Sequence, residues 1–182
     1  MKRALIVIDY TNDFVAEDGT LSTGKPAQDL HGYILDLAEG FYGAGDYIAF
    51  MVDEHEKDDP YHPETYLFPT HNVADSYGQQ MYGDLQKFYE SIKDSSTVLY
   101  RQKRRYSAFV GTDLFTKLRE RQINELHLVG VSTDICILHT AVDAYNLGFK
   151  VFIHEQGVAS FTQAGQDWAL NHFQNVLGFA VI

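Results

Sequence analysis

Cysteine is nearly absent from this 182-residue chain, with one copy at Cys136, so no disulfide framework can staple it. Proline is scarce as well, at four copies. Long hydrophobic runs are missing: the longest, Ala4–Ile8 and Tyr47–Val52, are far short of the roughly 20 residues of a membrane span. Basic residues number 14 against 25 acidic ones, and the resulting net charge of -11 repels a phosphate backbone. No basic N-terminus followed by an apolar run marks a signal peptide. No GxGxxG follows Ile8 and no Walker motif occurs, which disfavours a dinucleotide-binding enzyme. These absences predict a cytoplasmic protein that acts on a small molecule, with neither nucleic acid nor membrane among its partners.

What is present fits a single domain spanning 1–182, with 45% hydrophobic and 21% charged residues. Short, β-branched apolar runs alternate with helical patterns, which predicts βαβ units around a parallel sheet buried on both faces. The candidate strands are Arg3–Ile8, Tyr47–Val52, Thr97–Tyr100, Leu126–Val131, Val151–His154 and Phe179–Ile182. Helices are expected over Asp29–Tyr42, Thr112–Arg121, Ile135–Leu147 and Gln163–Leu177. Gly43 and Gly45 read as a helix end, Gly148 as another, and Thr162 as an N-cap. One connection is long: Glu54–Ser95 carries Pro60, Pro63 and Pro69, and within it only Gln79–Ile92 reads as helix. A long insertion just past a strand end is where binding sites and lids are built.

Several chemistry-bearing residues stand just past strand ends, and in a parallel sheet those ends share one edge. Asp9 directly follows Ala4–Ile8. Lys103 follows the third strand in Lys103-Arg104-Arg105-Tyr106-Ser107-Ala108-Phe109, a basic run that a solvated face would also explain. Cys136 lies in Gly130-Val131-Ser132-Thr133-Asp134-Ile135-Cys136, between the fourth strand and a helix. At such an elbow the helix N-terminus is expected to lower the thiol pKa from about 8.5, and its amides to hold an oxyanion. Elsewhere a lone cysteine is a small buried hydrophobe. A base, a cation and a nucleophile can therefore converge. Asp53-Glu54-His55 ends the second strand, and His62, Glu64 and His71 follow in the insertion. In extended chain Asp53 and His55 point the same way, and later ligands would close a site for a divalent ion, unless the run is only solvated surface.

Taken together, Ala4–Phe14, Asp53-Glu54-His55 with His71, Lys103–Phe109 and Gly130–Cys136 resemble the isochorismatase-like cysteine hydrolases, and within them the nicotinamidases. The resemblance spans nearly the whole chain. It implies a three-layer α/β/α sandwich with a six-stranded parallel sheet in the order 3-2-1-4-5-6, and a triad of Asp9, Lys103 and Cys136. It also implies a cis peptide at Val131–Ser132 and oxyanion donors near Ile135 and Cys136. The metal, zinc with iron or manganese as alternatives, would be held by Asp53, His55 and His71. Glu64 is favoured over His62 as the fourth ligand. Apolar pocket walls are expected from Phe14, Leu21, Phe68 and Tyr106, the substrate is expected to be nicotinamide, and the enzyme to be a dimer or tetramer. The competing readings are another small-amide hydrolase of the same superfamily, a metal hydrolase without covalent catalysis, and a non-catalytic metal- or redox-binding protein. Isochorismate hydrolysis is disfavoured, because that branch typically lacks the cysteine.

Overall fold

The computed structural model describes residues 2–182. Its strands are β1 (Lys2–Ile8), β2 (Tyr47–Asp53), β3 (Val98–Lys103), β4 (Ile123–Val131), β5 (Lys150–Ala159) and β6 (Ala180–Val181). They form one six-stranded sheet in the order β3-β2-β1-β4-β5-β6, and every pairing is parallel. The helices are α1 (Asn12–Val15), α2 (Lys25–Gln28), α3 (His31–Gly43), α4 (Asp84–Ile92), α5 (Leu114–Glu120), α6 (Leu138–Asn146) and α7 (Gln163–Asn175). No helix among the described residues is long and apolar enough to cross a membrane.

The inner strands β1 and β2 read as nearly unbroken apolar runs because both faces of the sheet are covered. In β1, Ala4, Ile6 and Ile8 pack with α5, α6 and α7 through Leu114, Leu118, Ala141 and Phe173. The alternate residues Leu5 and Val7 pack on the other face against Ile34 and Phe41 of α3 and Leu85 of α4. The order expected from the resemblance is therefore the observed one, with three layers.

Four expectations are corrected. The helix predicted over Gln79–Ile92 begins only at Asp84, after Gly83 at φ 62. Before it, Met81 bridges Thr11 and the Gln79 side chain donates to the Asp53 carbonyl at 3.2 Å, so tertiary bonds claim this stretch. The fifth strand runs on past His154 to Ala159. The exposed Glu155 and Gln156 interrupt its apolar run where the register shifts between Leu128 and Gly130. The helix expected from Ile135 is preceded by a π-helical turn over Thr133–Ile137. Gly43 lies inside α3, whereas Gly45 follows it at φ 73.

The candidate active site at the switch point

The order of the sheet reverses between β1 and β4, and ligands of open α/β sheets bind beyond the carboxyl ends of strands at such a point. Gly130 makes the close approach there possible: it pairs with Ile8 at φ 119, and a Cβ at this position would overlap the Ile8 carbonyl. One residue on, Asp9 adopts φ 53, which turns the chain at the end of β1. Its amide donates to the Met51 carbonyl at 3.0 Å, and its Oδ1 accepts from the Asp53 amide at 2.8 Å.

Lys103 comes from β3, two strands away, at a strand spacing of about 4.8 Å. Its register partner Asp53 ends the intervening β2, and only a long side chain spans that gap. Lys103 Nζ lies 2.7 Å from Asp9 Oδ2, 3.5 Å from Asp53 Oδ1 and 3.7 Å from Cys136 Sγ. It also donates to the Arg105 carbonyl at 3.1 Å. Asp9, Lys103 and Cys136 are all buried, so the structure gathers all three on one spot.

Burial pushes the Asp9 carboxyl up to about 6, against the pull of Lys103. Burial also opposes the charge on Lys103, but Asp9, Cys136 and Asp53 hold it above the usual ammonium range. The thiol contradicts the expectation from the helix dipole. Burial drives Cys136 well above the usual thiol range, with Lys103 pulling it back only in part. The proton thus rests on sulfur until a base takes it, and Asp9 is the carboxylate paired at 2.7 Å with the same Lys103 Nζ that meets the thiol at 3.7 Å.

The elbow begins at a cis peptide between Val131 and Ser132. In the π-helical turn the Ile135 and Ile137 amides both donate to the Ser132 carbonyl, at 3.1 and 3.2 Å. Of the two oxyanion donors expected from sequence, the Ile135 amide is thus committed within the turn.

The acid and histidine cluster is assembled by backbone pairing. His55 forms a bridge with Val73: its amide donates to the Asn72 carbonyl, and its carbonyl accepts from the Ala74 amide, both at 3.0 Å. Asp13 Oδ2 accepts from the Asn72 amide at 2.7 Å, which fixes the segment that carries His71. Asp53, His55, Glu64 and His71, all buried, each offer a ligand atom, and these atoms lie within 4.8 Å of one another. Asp53 Oδ1 and His71 Nε2 are buried with no hydrogen-bond partner. The His71 Nδ1 proton goes to the Pro69 carbonyl at 2.7 Å, which leaves the Nε2 lone pair free. Two imidazoles and two carboxylates with orphaned donor atoms fit a borderline divalent ion.

His62 does not join them. The Glu64 amide donates to its Nδ1 at 3.3 Å, so its Nε2 carries the proton and donates to the Arg104 carbonyl at 3.1 Å. Burial opposes protonation of His71, but Asp53 and the Pro69 carbonyl outweigh it and raise its pKa. Burial likewise favours protonated Asp53, yet Lys103, His55 and His71 hold that carboxyl far below its ordinary value.

One small cavity joins the two groups. Phe14, Leu21, Phe68 and Tyr106, the four walls expected from sequence, line it together with Ser132, Ile135 and Cys136 of the elbow and with Asp53 and Glu64 of the acid and histidine cluster. Phe161 also lines it and was not anticipated. It follows the stretch of β5 that the polar Glu155 and Gln156 concealed, and the apolar Val158-Ala159 beyond them was the available signal.

These features define a three-layer α/β/α protein with a buried aspartate, lysine and cysteine at the switch point of a parallel sheet. The isochorismatase domain model matches residues 3–182. The chain belongs to the isochorismatase family. It is 55% identical over 181 residues to the uncharacterised isochorismatase family protein PncA of Bacillus subtilis, covering 100% of this chain and 99% of that one. A crystal structure of nicotinamidase/pyrazinamidase PncA from Bacillus subtilis superposes with a TM-score of 0.98 at 56% identity, covering 100% and 99% of the two chains. The pyrazinamidase/nicotinamidase of Streptococcus mutans superposes at 0.97 with 50% identity over 100% of both.

Proposed function

We propose that this protein hydrolyses nicotinamide to nicotinate and ammonia through a thioester on Cys136, a step of NAD salvage. The observation that carries the reading is the shared cavity: Cys136, Asp53 and Glu64 line the same small pocket, between the aromatic walls of Phe14, Phe68 and Tyr106. A flat heteroaromatic amide suits such walls, and the relatives described as nicotinamidases span the whole chain.

In this reading Asp9 takes the thiol proton as sulfur attacks the amide carbon. Its elevated pKa of about 6 keeps it a usable base near neutrality. Lys103 stabilises the sulfur anion and holds Asp9 against it. The Cys136 amide receives the oxyanion, since the Ile135 amide is spoken for. Asp9 then gives its proton to the departing ammonia and activates the water that hydrolyses the thioester. Asp53, His55, Glu64 and His71 would hold one divalent ion, zinc first with iron or manganese as alternatives. When bound, such an ion supplies a coordination position for the pyridine nitrogen. A binder without catalysis would have no use for an ammonium beside a buried thiol.

The same reading takes residues 1–182 as one domain whose segment 54–95 is the metal-binding insertion, in a cytoplasmic dimer or tetramer; light scattering tests the assembly. The decisive experiment is ammonia release from nicotinamide together with metal analysis of the same sample. Turnover with other small amides but not with nicotinamide would replace the substrate.

A further inference from the structure

The turn that carries Cys136 is tied to α7 by side chains that the reaction does not use. Thr133 Oγ1 donates to Gln166 Oε1 at 2.6 Å, and Gln166 Nε2 donates to the Val158 carbonyl at 3.1 Å. Beside this tie, the Ser160 hydroxyl donates to Oδ1 of Asp134. Gly165 closes the other side of that carboxylate so tightly that a Cβ there would overlap Asp134 Oδ2. The Gly165 amide is already capped by Thr162 Oγ1 at 3.0 Å. What Gly165 supplies to Asp134 is therefore room. α7 has no acidic residue in its own first turn, and Asp134 brings the negative charge that a helix N-terminus favours.

Cys136 lies two residues beyond Asp134 in the same five-residue π-helical turn. Such turns are rare, are frequent at functional sites, and persist where their surroundings hold them. Any rotation of this one moves Sγ and the Cys136 amide together, away from Lys103 and from the place of the oxyanion.

We propose that Asp134 is a positioning residue: clasped by Ser160 and seated against Gly165, it fixes the turn so that the Cys136 thiol and amide face Lys103 and the scissile carbonyl. The proposal rests on the cysteine-amidase reading above. It predicts an effect on the chemical step and little on substrate or metal binding.

The test uses metal-loaded protein and two readouts, nicotinamide kinetics and alkylation by iodoacetamide, which reports on Cys136 alone because the chain has one cysteine. Asp134→Ala is expected to lower kcat about 100-fold with KM within about threefold, the size of a misplacement near 1 Å, and to slow alkylation in parallel. Asp134→Asn keeps an oxygen for Ser160 and should stay within about tenfold of the native kcat. Gly165→Ala should cost about tenfold in the native background and nothing further once Asp134→Ala has removed the carboxylate. Ser160→Ala should show the same kcat and alkylation pattern more mildly, and serves if Asp134→Ala does not fold. Unchanged kcat and alkylation with only a lowered Tm overturns the proposal, as does an equal penalty for Gly165→Ala in both backgrounds. If the native protein releases no ammonia from nicotinamide, the substrate reading fails, and the alkylation series still decides the role of Asp134.

Discussion

The backbone amide of Asp53 donates to Oδ1 of Asp9 at 2.8 Å, so the carboxylate that shares Lys103 with the thiol is tied to the first residue of the acid and histidine cluster. The other oxygen of Asp9 faces Lys103 at 2.7 Å, and Lys103 also reaches Asp53 at 3.5 Å. The ends of β1, β2 and β3 are thereby locked into one polar unit with no solvent in which to relax. The nucleophile's partners and the candidate metal ligands are neighbours in a single network.

Cys136→Ala should abolish ammonia release, to below about a thousandth of the native kcat, while bound metal and fold stay unchanged. Activity near the native level in this variant would exclude a thioester.

Lys103→Met removes an ammonium that faces two buried carboxylates, Asp9 and Asp53. Leaving them without that partner should cost about 3–5 kcal/mol of stability as well as turnover, measured by urea unfolding. A loss below about 1 kcal/mol would mean that the carboxylates are neutralised in another way.

Metal binding should separate the histidines. His71→Ala and Glu64→Gln each weaken retention of the ion by about 10-fold or more in equilibrium dialysis, whereas His62→Ala leaves its stoichiometry intact. Loss of metal from His62→Ala alone would exchange the roles of His62 and Glu64.

Away from the site, His154 should make stability fall in mild acid. Its Nδ1 accepts from the Tyr33 hydroxyl at 2.7 Å and its Nε2 meets His127 Nδ1 at 2.8 Å. Burial and the neighbouring His127 push its pKa down to about 4, from an ordinary 6.5. The unfolded chain thus takes up a proton before the folded one does. The contribution of His154 is complete above pH 6.5 and is lost as pH falls through 6.5 towards 4. Thermal melts between pH 7.5 and 4.5 should show the native Tm dropping faster than that of His154→Asn; parallel curves would remove His154 as the cause.

Much of this protein is decided by local sequence. Continuous apolar strands, the helices between them and the strand-end positions of Asp9, Asp53, Lys103 and Cys136 follow from periodicity and chain order. Strands covered on both faces, such as β1 and β2, favour apolar side chains at successive positions. Tertiary structure alone decided the rest. That Glu64 joins the cluster while His62 donates to Arg104 depends on how a long loop folds back. Phe161 reaches the pocket only because β5 continues past an irregularity in register, and Gly83 with the bonds of Gln79 shortens the helix expected before Ile92. The helix N-terminus promised an acidic thiol, but burial of Cys136 near Asp9 outweighs it. Desolvation is a property of everything packed around a group, and no window of neighbouring residues contains it.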